Sequence, residues 1–153
     1  MVFSKIIKHF TELSTEELYE IMRARQEVFV VEQNCPYLDA DGKDRDAFHL
    51  MLLNDSGKIM AYTRLLPEGV SYPGFLSIGR VLTVRECRGS GAGKQIMQDS
   101  IRACEEYFGK IYPIKIGAQS YLLEFYRAFG FEVAGEEYIE DGIPHLHMIR
   151  PWL

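Results

Sequence analysis

The sequence predicts an α+β fold, in which a mixed β-sheet of about six to seven strands carries helices on both faces. Short runs rich in apolar and β-branched residues alternate with three stretches of helical periodicity. The strand-like run at 75–84 leads through a glycine-rich turn into a helix, which is typical of a β-α-β crossover. Turn signals between the other runs add antiparallel pairs, so the sheet should be mixed.

The first strand is predicted at 2–10, where apolar residues recur. Ser14 and Glu17 have capping-box spacing, so the first helix should begin at Ser14. Its apolar residues share one face as far as about Val30, where we expect the helix to end. The next segment, 32–46, is acidic and has no periodicity, which predicts a loop.

Two strands follow at 47–53 and 58–66, and the turn residues 54–57 between them predict a hairpin. A loop at 67–74 leads to the strand at 75–84. The helix after the glycine-rich turn has an apolar face, formed by Met97, Ile101, Cys104 and Phe108.

The run at 112–118 predicts a buried strand, parallel to the strand before the turn and next to it. Ser120 begins and caps the last predicted helix, and Gly130 suits the position just past its end. Two final strands are predicted at 131–138 and 145–149. The element order is therefore β-α-β-β-β-α-β-α-β-β.

Composition limits the classes of function. The 153 residues predict a single domain over 1–153, and the net charge of −5 argues against a nucleic-acid binder. No apolar run approaches the roughly 20 residues that span a bilayer, and the first residues lack a signal-peptide core. Three irregularly spaced cysteines favour reduced thiols. We therefore expect a cytoplasmic protein without membrane or nucleic-acid partners.

The glycine-rich turn at 88–94 reads Arg-Gly-Ser-Gly-Ala-Gly-Lys and should bind an anion at the start of the helix. The Walker pattern fails, because Arg88 replaces its first glycine and Gln95 its hydroxyl residue. The dinucleotide pattern also fails, because Lys94 replaces its third glycine. An ordinary strand-to-helix connection remains the structural alternative.

The pattern Arg-x-x-Gly-x-Gly at 88–93 resembles the coenzyme A loop of the GNAT superfamily of N-acetyltransferases. The segment at 125–131 resembles the [FL]-Y-x-x-x-G-F signature of that family. The further segments 25–37, 78–81, 117–119 and 140–145 resemble its ElaA-like branch. The resemblance implies the GNAT fold and acetyl-CoA as cosubstrate, with no metal.

It also assigns residues. Cofactor contacts are expected at Val81, Leu82, Thr83, Val84, Arg88, Gly89, Ser90, Gly91, Ala92, Gly93, Lys94, Gln119 and Tyr126. Tyr126 should donate a proton to the departing thiolate, because the pKa values of a phenol and a thiol are close. The acceptor, a small-molecule or peptide amine, is expected beside Phe29, Glu32, Cys35 and Arg80.

The base that deprotonates the amine is open at this point. Many family members use a glutamate on the fourth strand, but the run at 75–84 contains no carboxylate. The candidates are a bound water, then His145, with Glu32 and His49 behind them.

Two hypotheses concern charge and assembly. The acidic residues of the 32–46 loop are candidates to steer a cationic amine toward the site. The alternative is that they form a solvated loop with turn-forming aspartates. These residues are Glu32, Asp39, Asp41, Asp44 and Asp46. A homodimer through an exposed late strand is compatible with the sequence.

Three other functions compete with N-acetyl transfer. A non-catalytic acyl-CoA sensor or interaction module would keep the fold and lose the chemistry. A nucleotide-binding domain would use the glycine-rich turn for ATP or NAD. Arg25-x-x-Val28-Phe29 also resembles acyl-homoserine-lactone synthases, but those need an S-adenosylmethionine site and a longer chain.

Overall fold

Eight strands and three α-helices form the α+β fold that the sequence predicts, in a computed structural model that describes residues 2–153. The strands are β1 (Ser4–His9), β2 (Phe48–Leu53), β3 (Ile59–Leu66), β4 (Ser77–Thr83), β5 (Ile114–Gln119), β6 (Glu132–Val133), β7 (Tyr138–Glu140) and β8 (Ile143–Arg150). The helices are α1 (Thr15–Arg25), α2 (Ala92–Phe108) and α3 (Leu123–Arg127).

The first four strands form one antiparallel sheet in the order β1-β2-β3-β4. The predicted hairpin joins β2 to β3, and Asn54 closes its turn by accepting hydrogen bonds from the Lys58 and Ser56 amides at 2.9 and 3.0 Å. The remaining strands form a second antiparallel sheet, in which β8 pairs with β5 on one side and with β6 and β7 on the other.

The strand predicted at 131–138 is instead two short strands, β6 and β7. Pairing with β8 continues one residue past β6, where the Ala134 amide donates to the His147 carbonyl at 2.8 Å. Gly135 then takes a φ of +107°, which turns the chain away until Tyr138. That left-handed backbone is accessible to glycine and breaks the strand in two.

The two sheets meet at β4 and β5, which run parallel but touch at one end only. The Leu76 amide donates to the Pro113 carbonyl, and the Lys115 amide donates to the Leu76 carbonyl, both at 2.9 Å. No further pairing between these strands occurs within residues 2–153. The prediction of two strands side by side is therefore right at their start and wrong for the rest of their length.

The first helix begins as predicted. Ser14 accepts a hydrogen bond from the Glu17 amide, and the Glu17 carboxylate accepts one from the Ser14 amide, which completes the capping box. After α1 the chain widens into the π-helix Gln26–Glu32. Such wide turns are rare and frequently occur at functional sites.

The last helix differs from the prediction. A 3-10 turn, Ser120–Leu122, precedes α3, and the hydroxyl of Ser120 donates to Glu137 at 2.8 Å instead of capping the helix. Gly130 does follow the helix with a φ of +93°, as predicted. The predicted 32–46 loop contains the 3-10 helix Lys43–Asp46.

Helix α2 buries one face against the first sheet, chiefly through Ile96, Met97, Ala103 and Cys104. The predicted contacts Ile101 and Phe108 are partly buried at the edge of the same core. All three cysteines are free and buried. Among residues 2–153, no helix is both long and apolar enough to cross a membrane.

Candidate active site

The divergence of β4 and β5 opens a cleft of about 880 Å³. The two strands form its walls, the π-helix and the start of α2 border it, and α3 and the β7–β8 turn complete it. This volume lies near the upper end of the range of about 300–1,000 Å³ that is typical of small-molecule and cofactor sites.

The structure brings most of the predicted site residues to this cleft. Its lining includes Phe29, Glu32, Cys35, Arg80, Val81, Leu82, Thr83, Arg88, Gly93, Gln119, Tyr126 and His145. The predicted residues outside the lining are Val84, Gly89, Ser90, Gly91, Ala92 and Lys94. The amide of Val84 already donates to the Met60 carbonyl at 2.9 Å, so it is not free to bind a ligand.

The glycine-rich turn lies at the end of β4. Gly89 and Gly91 have φ angles of +84° and +88°, which explains why glycine occupies both positions. The first hydrogen bond of α2 runs from the Gln95 amide to the Gly91 carbonyl, and no side chain caps the helix. The amides of 92–94 therefore have no partner within α2, which is the arrangement that binds anions.

Arg88 connects this turn to the opposite border of the cleft. Its guanidinium donates to the Thr83 carbonyl at 2.9 and 3.2 Å and pairs with the Glu32 carboxylate on the π-helix. Gln119 of β5 donates to Gln33 at 3.3 Å beside this pair. The Glu32 carboxylate is therefore already engaged by a cation.

Strand β4 contains a β-bulge that the sequence does not predict. Its pairing with β3 shifts between Tyr62 and Arg64, so that two residues of β4, Arg80 and Val81, lie opposite one residue of β3. Arg80 has a φ of +49°, an uncommon conformation for a non-glycine residue. The bulge bends the β4 edge at the middle of the cleft.

Tyr126 lies at the base of the cleft and is 6% exposed. Its ring packs edge-on against Phe125 and Phe131, with centroids 5.2 and 6.0 Å away. Burial raises the pKa of Tyr126 well above the ordinary value of a tyrosine, so the hydroxyl is protonated at neutral pH.

His145 lines the cleft from β8. Its Nδ1 lies 2.7 Å from the Ile143 carbonyl, which can only accept, so Nδ1 carries the proton and Nε2 is left as an acceptor. The Glu140 carboxylate is 3.6 Å from Nε2. The ring also stacks on Tyr138, with centroids 5.7 Å apart.

His49 is excluded as the base, because it is fully buried outside the cleft. Its two nitrogens are held by the Tyr62 hydroxyl at 2.6 Å and the Asp44 carbonyl at 3.0 Å. Burial lowers the pKa of His49, so the ring is neutral.

The acidic loop does not form the solvated or steering surface expected from the sequence, except that Asp46 is exposed. Instead, its other aspartates join three arginines in an arginine–aspartate cluster that consists of Arg25, Arg64, Arg80, Asp39, Asp41 and Asp44. Asp39 lies between Arg25 and Arg80, with Oδ–Nε distances of 2.8 Å to each. The three carboxylates are therefore paired, and the steering hypothesis is wrong for them.

The cluster predicts a loss of stability in acid. Burial alone would raise the pKa values of Asp41 and Asp44. Instead, the neighbouring Arg64 lowers the pKa of Asp41 to about 2, and Arg25 together with Arg64 lowers the pKa of Asp44. A carboxyl group whose pKa is lower in the folded protein than in the unfolded chain stabilises the fold at pH values above its unfolded pKa, which is near 4. That stabilisation is lost as the pH falls through the folded-state pKa.

We therefore expect the free energy of unfolding in urea to fall between about pH 4 and pH 2. The variant Asp41→Asn should show a shallower fall, whereas Asp55→Asn, in the exposed hairpin turn, should keep the wild-type slope. Equal slopes for wild type and Asp41→Asn would contradict this assignment.

Sequence reasoning missed several residues of the cleft, namely Tyr37, Lys43, Arg64, Ser71, Tyr72 and Glu140. Tyr37, Ser71 and Tyr72 come from loops and Lys43 begins a four-residue 3-10 helix, and in such segments no periodicity marks the side that faces the cleft. The one available signal was the density of carboxylates in the acidic loop, because carboxylates that become buried need cations as partners.

The comparisons with known proteins match this architecture. The family model described as an acetyltransferase (GNAT) domain covers residues 6–150. The chain belongs to the GNAT acetyltransferase family. It is therefore an acyltransferase, and the GNAT fold implies an acyl-CoA cosubstrate.

This GNAT protein resembles relatives from several bacteria. A UPF0039 protein of Synechocystis is 43% identical over 145 residues, covering 93% of this chain and 91% of the relative. Protein ElaA of Escherichia coli is 39% identical over 143 residues, with 93% and 92% coverage. The predicted resemblance to the ElaA-like branch is confirmed.

Solved structures agree with the sequence matches. An acyl-CoA N-acyltransferase from Pseudomonas aeruginosa superposes with a TM-score of 0.90 at 41% identity, covering 97% of this chain and 99% of the other. The crystal structure of Escherichia coli ElaA also gives a TM-score of 0.90, at 37% identity and the same coverage.

Proposed function

We propose that this GNAT protein transfers an acetyl group from acetyl-CoA to a primary amine by direct attack. The observation that carries the proposal is the open edge of β4, which leaves β5 after Leu76 and ends at the uncapped start of α2. A strand edge with free amides and carbonyls suits a ligand that carries its own amides. The amides of 92–94 suit that ligand's diphosphate.

Acetyl-CoA supplies an activated thioester when it is bound. The amides of 81–83 would lie along its arm, and one of them would donate to the thioester carbonyl as negative charge develops there. The Tyr126 hydroxyl would then protonate the leaving sulfur. Tyr126 lines the cleft with a protonated hydroxyl, so it has a proton to donate once negative charge develops on the sulfur.

The amine loses one proton in the reaction. We assign that proton to Nε2 of His145, directly or through one water, because Nδ1 is already committed to the Ile143 carbonyl. Glu140 would stabilise the resulting imidazolium. In balance, a C–S bond breaks and a C–N bond forms between the neutral amine and the acetyl group. The thiol departs with the proton from Tyr126, and the proton taken from the amine by His145 returns through solvent to restore the Tyr126 phenol.

The test is release of free thiol from acetyl-CoA against a broad panel of amines, with mass spectrometry of the acetylated product. We expect at least one amine to react, and coenzyme A but neither ATP nor NAD to bind in calorimetry. Displacement of coenzyme A by ATP would favour the nucleotide-binding alternative. Binding of coenzyme A without reaction of any amine would favour the sensor.

A further inference from the structure

Lys43 brings an unbalanced positive charge to the cleft. Its Nζ donates to the Ser71 hydroxyl at 3.0 Å, and both residues line the cleft. Within residues 2–153, Lys43 forms no ion pair with a carboxylate, although its backbone amide donates to Asp41. A partly buried ammonium whose side-chain partner is a neutral hydroxyl has donors left for an anion.

The surrounding charges do not neutralise Lys43. In the arginine–aspartate cluster three cations face three carboxylates, so that cluster is balanced without it. The excess of positive charge is local, since the whole chain has a net charge of −5.

The charge lies away from the glycine-rich turn. Ser71 lies just before the start of β4. Its neighbour Tyr72 accepts a hydrogen bond at 3.2 Å from the amide of Phe75, which is two residues before β4. Arg88 and Gly93 follow the last residue of β4. At about 3.3 Å per residue, the seven residues of β4 separate the two regions by roughly 20 Å. A diphosphate at the turn therefore does not occupy the Lys43 end.

The β7–β8 side of the same cleft has the opposite charge. Glu140, with a side chain 59% exposed, and Asp141 both line it beside His145. An ammonium group is favoured near these carboxylates, and an anion is favoured near Lys43. The two sides together suit a ligand that carries both charges.

We propose that the acceptor is a primary amine that also carries a carboxylate or phosphate group, and that Lys43 with Ser71 binds this group. The inference rests on the proposed acetyl transfer and specifies its second substrate. It favours amino-acid-like acceptors over polyamines and aminoglycosides, which offer no anion to Lys43.

Matched pairs of amines test the inference. Lysine and cadaverine differ only in a carboxylate, as do phenylalanine and phenethylamine, while O-phosphoethanolamine and ethanolamine differ in a phosphate. We expect kcat/KM at saturating acetyl-CoA to be at least tenfold higher for the anionic member of one or more pairs. A preference for the amines without an anion would overturn the proposal.

Variants of Lys43 connect the preference to this residue. Lys43→Met should raise the KM of the amine that carries the anionic group about tenfold. The kcat, the KM of acetyl-CoA and the reaction of the amine that lacks this group should be unchanged. Lys43→Arg should retain most of the affinity. Arg45→Met, which removes a charge from the same 3-10 helix on its exposed side, is the matched control. Equal effects of Lys43→Met on both members of a pair would count against the proposal.

Failure of the proposed chemistry is distinguishable from failure of this inference. If no amine reacts, calorimetric titration with lysine and with cadaverine still compares binding to wild type and to Lys43→Met. Tighter binding of lysine, lost in Lys43→Met, would support the anion site alone. Equal binding of lysine to both proteins would reject it.

Discussion

The variant Tyr126→Phe is expected to lower kcat for acetyl transfer about a hundredfold while coenzyme A binds with unchanged affinity. The substitution removes one oxygen and keeps the ring that packs against Phe125 and Phe131. Without the hydroxyl, sulfur must leave as a thiolate or take its proton from water, and general acids contribute about 10²- to 10⁴-fold to such steps.

The measurement is thiol release at saturating acetyl-CoA and amine, together with calorimetric titration of coenzyme A. Tyr19→Phe removes a hydroxyl from an exposed tyrosine on α1 and serves as the control for loss of a phenol elsewhere. A wild-type kcat in Tyr126→Phe would remove the residue from the mechanism. Equal losses of kcat and of coenzyme A affinity would indicate a packing role.

The proton transfer in this step is compatible with burial. Because burial raises the pKa of Tyr126, its hydroxyl holds the proton until negative charge develops on the sulfur. The pH dependence of kcat should therefore lack a loss attributable to Tyr126 ionisation near neutral pH.

Features that depend on neighbouring residues could be predicted from the sequence. The capping box of α1 joins residues three apart, and the positive φ angles at Gly89 and Gly91 follow from the glycine positions themselves. The strand that carries the cleft residues of β4 was likewise predicted from the run at 75–84, whereas the role of those residues as cofactor contacts came from the resemblance to the GNAT family.

Features that depend on distant partners could not be predicted. Arg25 and Asp44 are separated by 19 residues, and Arg80 and Asp39 by 41, so no periodicity connects them. The divergence of β4 from β5 depends on how the two sheets are arranged. Neither strand contains a residue that marks where the divergence begins. The acidic loop was visible, but its pairing with arginines depends on the fold.

The arginine–aspartate cluster links stability to the site. It joins α1, the loop after the π-helix and the β4 bulge, because Asp39 contacts both Arg25 and Arg80. Tyr37 adds a hydrogen bond to Asp39 at 2.9 Å, and the Arg80 guanidinium lies over its ring at 5.6 Å. A change in the cluster should therefore affect the bulge as well as the core.

The variant Arg25→Met is expected to lower the free energy of unfolding by about 3–5 kcal/mol. The guanidinium is fully buried and pairs with Asp39 at 2.8 Å and with Asp44 at 2.6 Å. Removing it leaves two buried carboxylates with fewer cations, and breaking one partner of a buried pair has a cost of this size. Urea unfolding monitored by circular dichroism measures the change.

The control Arg23→Met lies on the same helix. Its guanidinium pairs with Glu20 and Glu27 on the helix surface, and such exposed pairs contribute about 1 kcal/mol or less. If both variants lose the same small amount, Arg25 has no special structural role. If Arg25→Met does not fold, its abundance in the soluble fraction, compared with that of Arg23→Met, gives the same ranking.

A second substitution separates loss of pairing from loss of packing. Asp39→Asn neutralises one of the two carboxylates that Arg25→Met leaves without this cation. The free energy of unfolding of the double variant should therefore be higher than the sum of the two single losses predicts, by about 0.5–3 kcal/mol. Additive losses would mean that Arg25 stabilises the fold through Asp44 or its buried methylene groups and not through Asp39. Coupling of this size would identify Asp39 as the partner whose charge requires an arginine at position 25. Because Asp39 also contacts Arg80, it would then be the residue that links α1 to the β4 bulge.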